Sequence, residues 1–205
     1  RAVTIAVAGA GPRMGTTTQA MQILNYLSTM EYKVAFVEMS GQRHMGQYLG
    51  ILDKSEALDD AHFTLMGNHF YNDAKGLITA RSQFDYVVCD YGVYNDIPDI
   101  TSFFEKDVKI VCCGAKPWES PWLEPAFGDD DGTLRYIFSF VQKSDEAMVR
   151  DQMGDEAKNT YFAPYAPDFF RYCGADEIYE RIIDPKTNRP KHPQTKGKRF
   201  WPWQK

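Results

Sequence analysis

Apolar positions follow two rhythms along this chain. Short unbroken runs occur at "VTIAVAGA" (3–10), "YKVAFVEMS" (32–40), "FDYVVCDYG" (84–92), "DVKIVCCGA" (107–115), "LRYIFSFV" (134–141) and "NTYFAPYAP" (159–167). Runs of this length without alternation predict strands covered on both faces. The other rhythm is helical. "TTTQAMQILNYLSTM" (16–30) puts Ala20, Ile23, Leu24, Leu27 and Met30 on one face. "SDEAMVRDQM" (144–153) opens on a serine with acids in its first turn, which suits a helix start, and "ADEIYERII" (175–183) predicts a last helix. Residues 41–52 read as a loop and a short helix, 53–80 as mixed sequence with weak helical signals, and 117–132 as a proline-rich loop with one helical turn. Strand and helix patterns alternate. The expected fold class is α/β: a mostly parallel, doubly wound sheet with helices on both faces.

Two segments differ in kind. Residues 1–183 carry the alternation and are expected to form one domain. Residues 184–205, "DPKTNRPKHPQTKGKRFWPWQK", mix cations, prolines and aromatics without periodicity and predict an extended tail. The chain has 205 residues, enough for one such domain with a large core. A net charge of -5 gives no general reason to expect nucleic-acid binding. No stretch approaches the ~20 apolar residues of a membrane span. Residues 3–10 read as a strand rather than a signal peptide, and the absence of an initial methionine suggests that residues once preceded Arg1. Cys89, Cys112 and Cys113 lie in apolar runs and, with Cys173, show no metal-ligand spacing. They predict buried free thiols in a reducing compartment, hence the cytoplasm.

The stretch "AVAGAGPRMGTTTQA" (6–20) carries the chemistry. A strand runs into glycines, then threonines, then a helix. Such a turn gathers backbone N–H groups at a helix N-terminus, where an anion is favoured. The phosphate-binding consensus is G-x-x-x-x-G-K-[ST]. Here the corresponding residues, Ala10 to Thr17, read "AGPRMGTT": Gly15 is the second glycine, Thr17 the hydroxyl at the magnesium position, and Thr16 stands where the lysine belongs. The candidate nucleotide-binding residues are Gly11, Pro12, Arg13, Met14, Gly15, Thr16, Thr17 and Thr18. A purely structural tight turn is the alternative.

The wider order of segments resembles the ParA/MinD group of deviant Walker ATPases, a branch of the P-loop NTPases whose loop reads K-G-G-x-G-K-T-T. "KVAFVEMSGQRHMGQYLG" (33–50) looks like that family's second strand with its D-x-D-P-Q end, "FDYVVCDYG" like its third segment, and "YFAPYAPDFF" (161–170) like its late I-P-Y-D-P segment. The resemblance implies that Thr17 and Asp90 hold magnesium and that the backbone at Pro164 and Tyr165 reads adenine. It also exposes departures. The family's signature lysine falls on Gly11, its phosphate-contacting lysine on Thr16, and its water-orienting acid on Ser40, with Glu38 replacing the first acid. Phosphoryl transfer depends on positive charge placed on the transferring group. The resemblance therefore implies ATP or ADP with Mg2+, bound but hydrolysed slowly or not at all, unless Arg13 or a partner residue supplies the missing cation. A domain without nucleotide is a third possibility. Variants with altered Walker loops, such as the TadZ/CpaE type, act as localisation factors. The resemblance further implies a protein partner from a bacterial positioning, secretion or pilus machine, and a homodimer across the nucleotide face.

The remaining candidates change this picture little. His44 and His62 stand isolated, and His69 is expected on the surface. Asp129, Asp130 and Asp131 read as a solvated turn. Trp118 and Trp122 form either a contact surface or packing beneath a loop. "KGKRFWPW" in the tail suits an anionic membrane surface or a groove on a partner.

Overall fold

The computed structural model describes residues 1–184. The predicted tail lies outside the described residues, apart from Asp184. Nine strands form one sheet: β1 (Val3–Gly9), β2 (Val34–Glu38), β3 (Ser55–Ala57), β4 (His62–Leu65), β5 (Asn68–Tyr71), β6 (Tyr86–Val93), β7 (Val108–Cys113), β8 (Leu134–Phe138) and β9 (Thr160–Phe162). Their spatial order is β3-β4-β5-β2-β6-β1-β7-β8-β9. From β5 to β9 every pairing is parallel. Strand β1 lies between β6 and β7 and is buried throughout, which is why its sequence is apolar without alternation.

Helices α1 (Thr16–Thr29) and α6 (Asp176–Ile183) cover one face, where Ile23, Leu24 and Leu27 meet Val3, Ile5, Val7 and Tyr179. Helices α2 (Gly76–Gln83), α3 (Ile100–Phe104), α4 (Glu124–Asp129) and α5 (Glu146–Gln152) cover the other. There Ala80, Phe103, Ala126 and Val149 pack against Ala6, Ala8 and Cys89. The expected doubly wound α/β architecture is present. Burying Leu24 completely is worth about 1.5–3 kcal/mol, so the α1 stripe contributes several such increments.

The weak helical signals at 53–80 were misleading over most of that stretch. Residues 55–71 form an antiparallel edge, β3-β4-β5, and only α2 is helical. The cue for a strand is the alternation at 62–65, where Phe63 and Leu65 are buried and His62 and Thr64 are half-buried. The β4–β5 turn uses Met66 and Gly67, both with positive φ (50° and 81°), instead of the usual Asn-Gly. Strand β9 is shorter than predicted, because the chain leaves the sheet at Ala163.

Candidate functional site

The turn from β1 into α1 lies at the C-terminal end of the parallel strands, where ligands gather in open α/β sheets. Ala10 N–H donates to the Cys112 carbonyl (2.8 Å) and Gln19 N–H to the Gly15 carbonyl (2.8 Å). Between those two bonds, among the described residues, no backbone N–H from Gly11 to Thr18 is tied to a carbonyl across the loop. The first-turn amides of α1 have no intrahelical partner by construction. Arg13 (φ 62°) and Gly15 (φ 81°) both adopt left-handed backbone, the alternation that builds anion-binding concavities. Gly15 also serves as the N-cap of α1, with no side chain to compete for the helix amides.

Thr17 and Asp90 meet directly. The Thr17 hydroxyl donates to Asp90 Oδ2 (2.7 Å), and Gly92 N–H donates to Asp90 Oδ1 (3.0 Å). Asp90 is only 4 % exposed. Burial pushes its carboxyl above the ordinary carboxylate range, the bonds from Thr17 and Gly92 oppose that rise, and the charge of Glu38 adds to it. Glu38 stands opposite Asp90 in the β2–β6 ladder. Its oxygens are already engaged: Oε1 accepts from His44 N–H (2.7 Å) and Oε2 from Met45 N–H (3.2 Å). Glu38 thus fastens the short 3₁₀ turn Met45–Tyr48 to the end of β2. Ser40 donates to the same Glu38 oxygen (3.3 Å) and lies against Gly92.

Other predicted residues spread around this pair. Pro12 and Arg13 are exposed, and Thr16 and Thr18 are half-buried. Met14 is buried and its sulfur packs toward Gly114, so its side chain belongs to the core and only its backbone faces the loop. The Thr16 hydroxyl lies over Gly9. Pro164 and Tyr165 are exposed beyond β9, and the Tyr165 ring touches Phe140 (centroids 5.7 Å apart).

Three features were not legible. The Trp122 indole is seated on Gly11, in the volume that a side chain at position 11 would fill. Glu119 turns back over Gly114 and accepts from Lys116 N–H (3.0 Å). Gln19 joins Ser139 (3.4 Å) to the Tyr179 hydroxyl (2.7 Å), tying the start of α1 to β8 and α6. A buried glutamine in an apolar helix stripe was the available signal for the last. His69 is half-buried rather than on the surface, and its Nδ1 lies 2.9 Å from His62 Nε2. Asp129 and Asp130 are not merely solvated: they accept from the Tyr94 (3.0 Å) and Tyr136 (2.7 Å) hydroxyls. Among the described residues no cluster of three or more His, Cys, Asp or Glu suits a metal, and no helix is long and apolar enough to cross a membrane. The four thiols are free, and burial pushes that of Cys89 up to about 12.

No protein-family model and no curated protein matches the sequence. Solved structures do match the fold. A plasmid partition protein from Borrelia burgdorferi bound to AMPPNP is 14 % identical, with TM-score 0.62 over 91 % of this chain and 98 % of its own. This chain has the ParA/MinD fold. A ParA family ATPase from Chlorobium tepidum superposes with TM-score 0.62 at 11 % identity, covering 92 % of this chain and 95 % of its own. A chain of the MinC:MinD cell division complex from Aquifex aeolicus gives 0.63 at 15 %, covering 98 % and 100 %. The three matches cover 91 %, 92 % and 98 % of this chain.

Proposed function

We propose that this chain is a nucleotide-binding ParA/MinD-type domain whose loop holds ATP or ADP through backbone amides and turns it over slowly or not at all. The observation that carries the reading is the Thr17–Asp90 pair (2.7 Å) beside a loop whose amides are not tied across it. A hydroxyl and a buried carboxylate at one point are the donor set for a hard divalent cation. Thr17 and Asp90 would hold a magnesium ion, which would supply positive charge for the phosphates. The loop's own residues would bind and orient: amides of Gly11 and Arg13 to Thr18 on the phosphates, Pro12 and Met14 shaping the turn, and the backbone at Pro164 and Tyr165 beside the base. The AMPPNP carried by the Borrelia protein supports this reading.

Weak turnover follows from the residues that are missing. Gly11, Thr16 and Ser40 leave the phosphates without lysine charge and the attacking water without an acid. Arg13 is exposed and forms no ion pair among the described residues, so it is the one loop cation available as a substitute. In this reading the domain (residues 1–183) serves as a scaffold or localisation factor, with a protein partner and a homodimer as in positioning machines. The MinC:MinD complex supports a partner of that class. Tail-mediated contact with an anionic membrane, and a bacterial cytoplasmic setting, belong to the same proposal.

A second reading rests on Trp122. Its indole on Gly11 covers part of the loop, which would suit an interaction module without nucleotide. Titration with labelled ATP and ADP, with and without magnesium, separates the two, with phosphate release measured in parallel. Magnesium-dependent binding without appreciable release supports the proposal. Turnover abolished by Thr17→Ala would make the chain a working ATPase, and no binding at millimolar nucleotide would leave the interaction module.

A further inference from the structure

Two large aromatic side chains stand in solvent at the end of the sheet that carries the glycine turn. Phe140 is 72 % exposed and Tyr165 67 %. Their rings meet at a tilt, with centroids 5.7 Å apart and planes at 55°, and among the described residues neither ring touches another. Rings left this open forgo the stabilisation that burial gives a large apolar side chain. Phe140 also holds left-handed backbone (φ 62°). Bulky residues rarely adopt that region, and such departures gather where ligands are held.

Position ties the pair to the loop. Phe140 follows β8 and Tyr165 follows β9, at the C-terminal ends of parallel strands. The glycine turn leaves β1 at that same end. Ser139, the residue before Phe140, reaches the turn: a β-carbon on Gly15 would stand 3.5 Å from its hydroxyl oxygen. Ser139 N–H donates to the Cys113 carbonyl (3.4 Å) and Ala163 N–H to the Phe138 carbonyl (2.9 Å), so the two ring-bearing segments are held side by side. An apolar ring offers a phosphate nothing, but it fits the planar part of a nucleotide.

Polar side chains that join the loop helix to the ring segment are already committed. Gln19, only 2 % exposed, accepts from the Tyr179 hydroxyl through Oε1 (2.7 Å) and donates to Ser139 Oγ through Nε2 (3.4 Å). Pro164 has no N–H to offer a base. The corner beside the loop therefore presents ring surface and few groups that could read the edge of a base.

We propose that the base of a bound nucleotide stacks on Phe140 and meets the edge of Tyr165. The site then selects by the area of the base, purine over pyrimidine, and not by the hydrogen-bonding edge that separates adenine from guanine. This inference rests on the nucleotide-binding reading above. A tilted ring pair provides one free face and one edge, both favourable to a third ring. Every base has a π-face, so stacking tolerates base identity, and it is worth roughly 5- to 150-fold in affinity.

Calorimetric titration of the full chain with magnesium and four probes tests it: ATP, GTP, CTP and ribose 5-triphosphate, which lacks only the base. ATP and GTP should bind within ~3-fold of each other, CTP more weakly, and ribose 5-triphosphate weaker than ATP by ~5-fold or more. Phe140→Leu keeps an apolar side chain at an exposed position. It should lower ATP and GTP affinity by ~5-fold or more without changing that of ribose 5-triphosphate, and Phe140→Trp should restore the loss. A preference of ~10-fold or more for ATP over GTP would overturn the proposal, because edge reading would then set the choice. Equal ATP affinity of Phe140→Leu and wild type would also overturn it and leave the rings to a protein partner. Binding of ribose 5-triphosphate as tight as that of ATP would overturn this inference alone. If no probe binds, the nucleotide-binding reading fails and this inference with it.

Discussion

Adding one methyl group at Gly11 probes the least expected contact in the site. A β-carbon there would overlap the Trp122 indole, lying 2.6 Å from Cδ2 and 2.9 Å from Cζ3. Ordinary carbon contacts begin near ~3.5 Å, so the ring must retreat by about 1 Å. Gly11 is not among the residues with positive φ, so alanine brings no backbone strain of its own. Overpacking of this kind costs about 1–3 kcal/mol. Trp122 is 36 % exposed and can swing outward, which places the expected cost of Gly11→Ala nearer 1 kcal/mol, or roughly 2–4 °C in Tm for a domain of this size. In a Trp122→Ala background the clash is gone. There Gly11→Ala should stabilise by about 0.4–1 kcal/mol, because alanine restricts the unfolded chain. The two substitutions should therefore couple by about 1–2 kcal/mol in a double-mutant cycle followed by urea unfolding. Equal effects of Gly11→Ala in both backgrounds would refute the seating of Trp122 on the loop.

Thr17→Ala removes a bond to a buried carboxylate and should cost about 1.5–3 kcal/mol of urea stability while abolishing any magnesium dependence of nucleotide affinity, measured by calorimetry. Asp90 titrates above its unfolded range, so between the unfolded and folded pKa values the native state binds more protons and stability falls as pH rises through that window. Asp90→Asn should remove this slope and raise the urea midpoint of the ligand-free protein at neutral pH; an unchanged pH profile would contradict the burial argument. Glu38→Gln leaves one of the His44 and Met45 amides without its acceptor and should cost about 1–3 kcal/mol, seen as faster hydrogen exchange confined to residues 41–48.

Much of the fold was legible because each parallel strand is buried on both faces and therefore reads as an unbroken apolar run, as in Val3–Gly9. The 55–71 edge is not legible in the sequence because its strands are short and its turn is Met66-Gly67, where bulky methionine occupies a backbone region that Asn usually fills. Within the site, the loop consensus singles out Thr17 and the family resemblance pairs it with Asp90 in β6, and the two side chains do meet. Trp122 on Gly11 could not be placed, since the two are far apart in sequence and nothing local to either encodes the contact. Glu38 shows a different limit: strand position puts it beside Asp90, yet the two amides it accepts from come from a loop whose path periodicity does not reveal.

Amide hydrogen exchange across Gly11–Thr18 tests most directly whether this turn is a phosphate cradle. Without nucleotide these amides should exchange quickly. ATP with magnesium should slow them, and adenosine, which lacks phosphates, should not. Amides already protected in the free protein, or indifferent to saturating ATP and magnesium, would contradict the account.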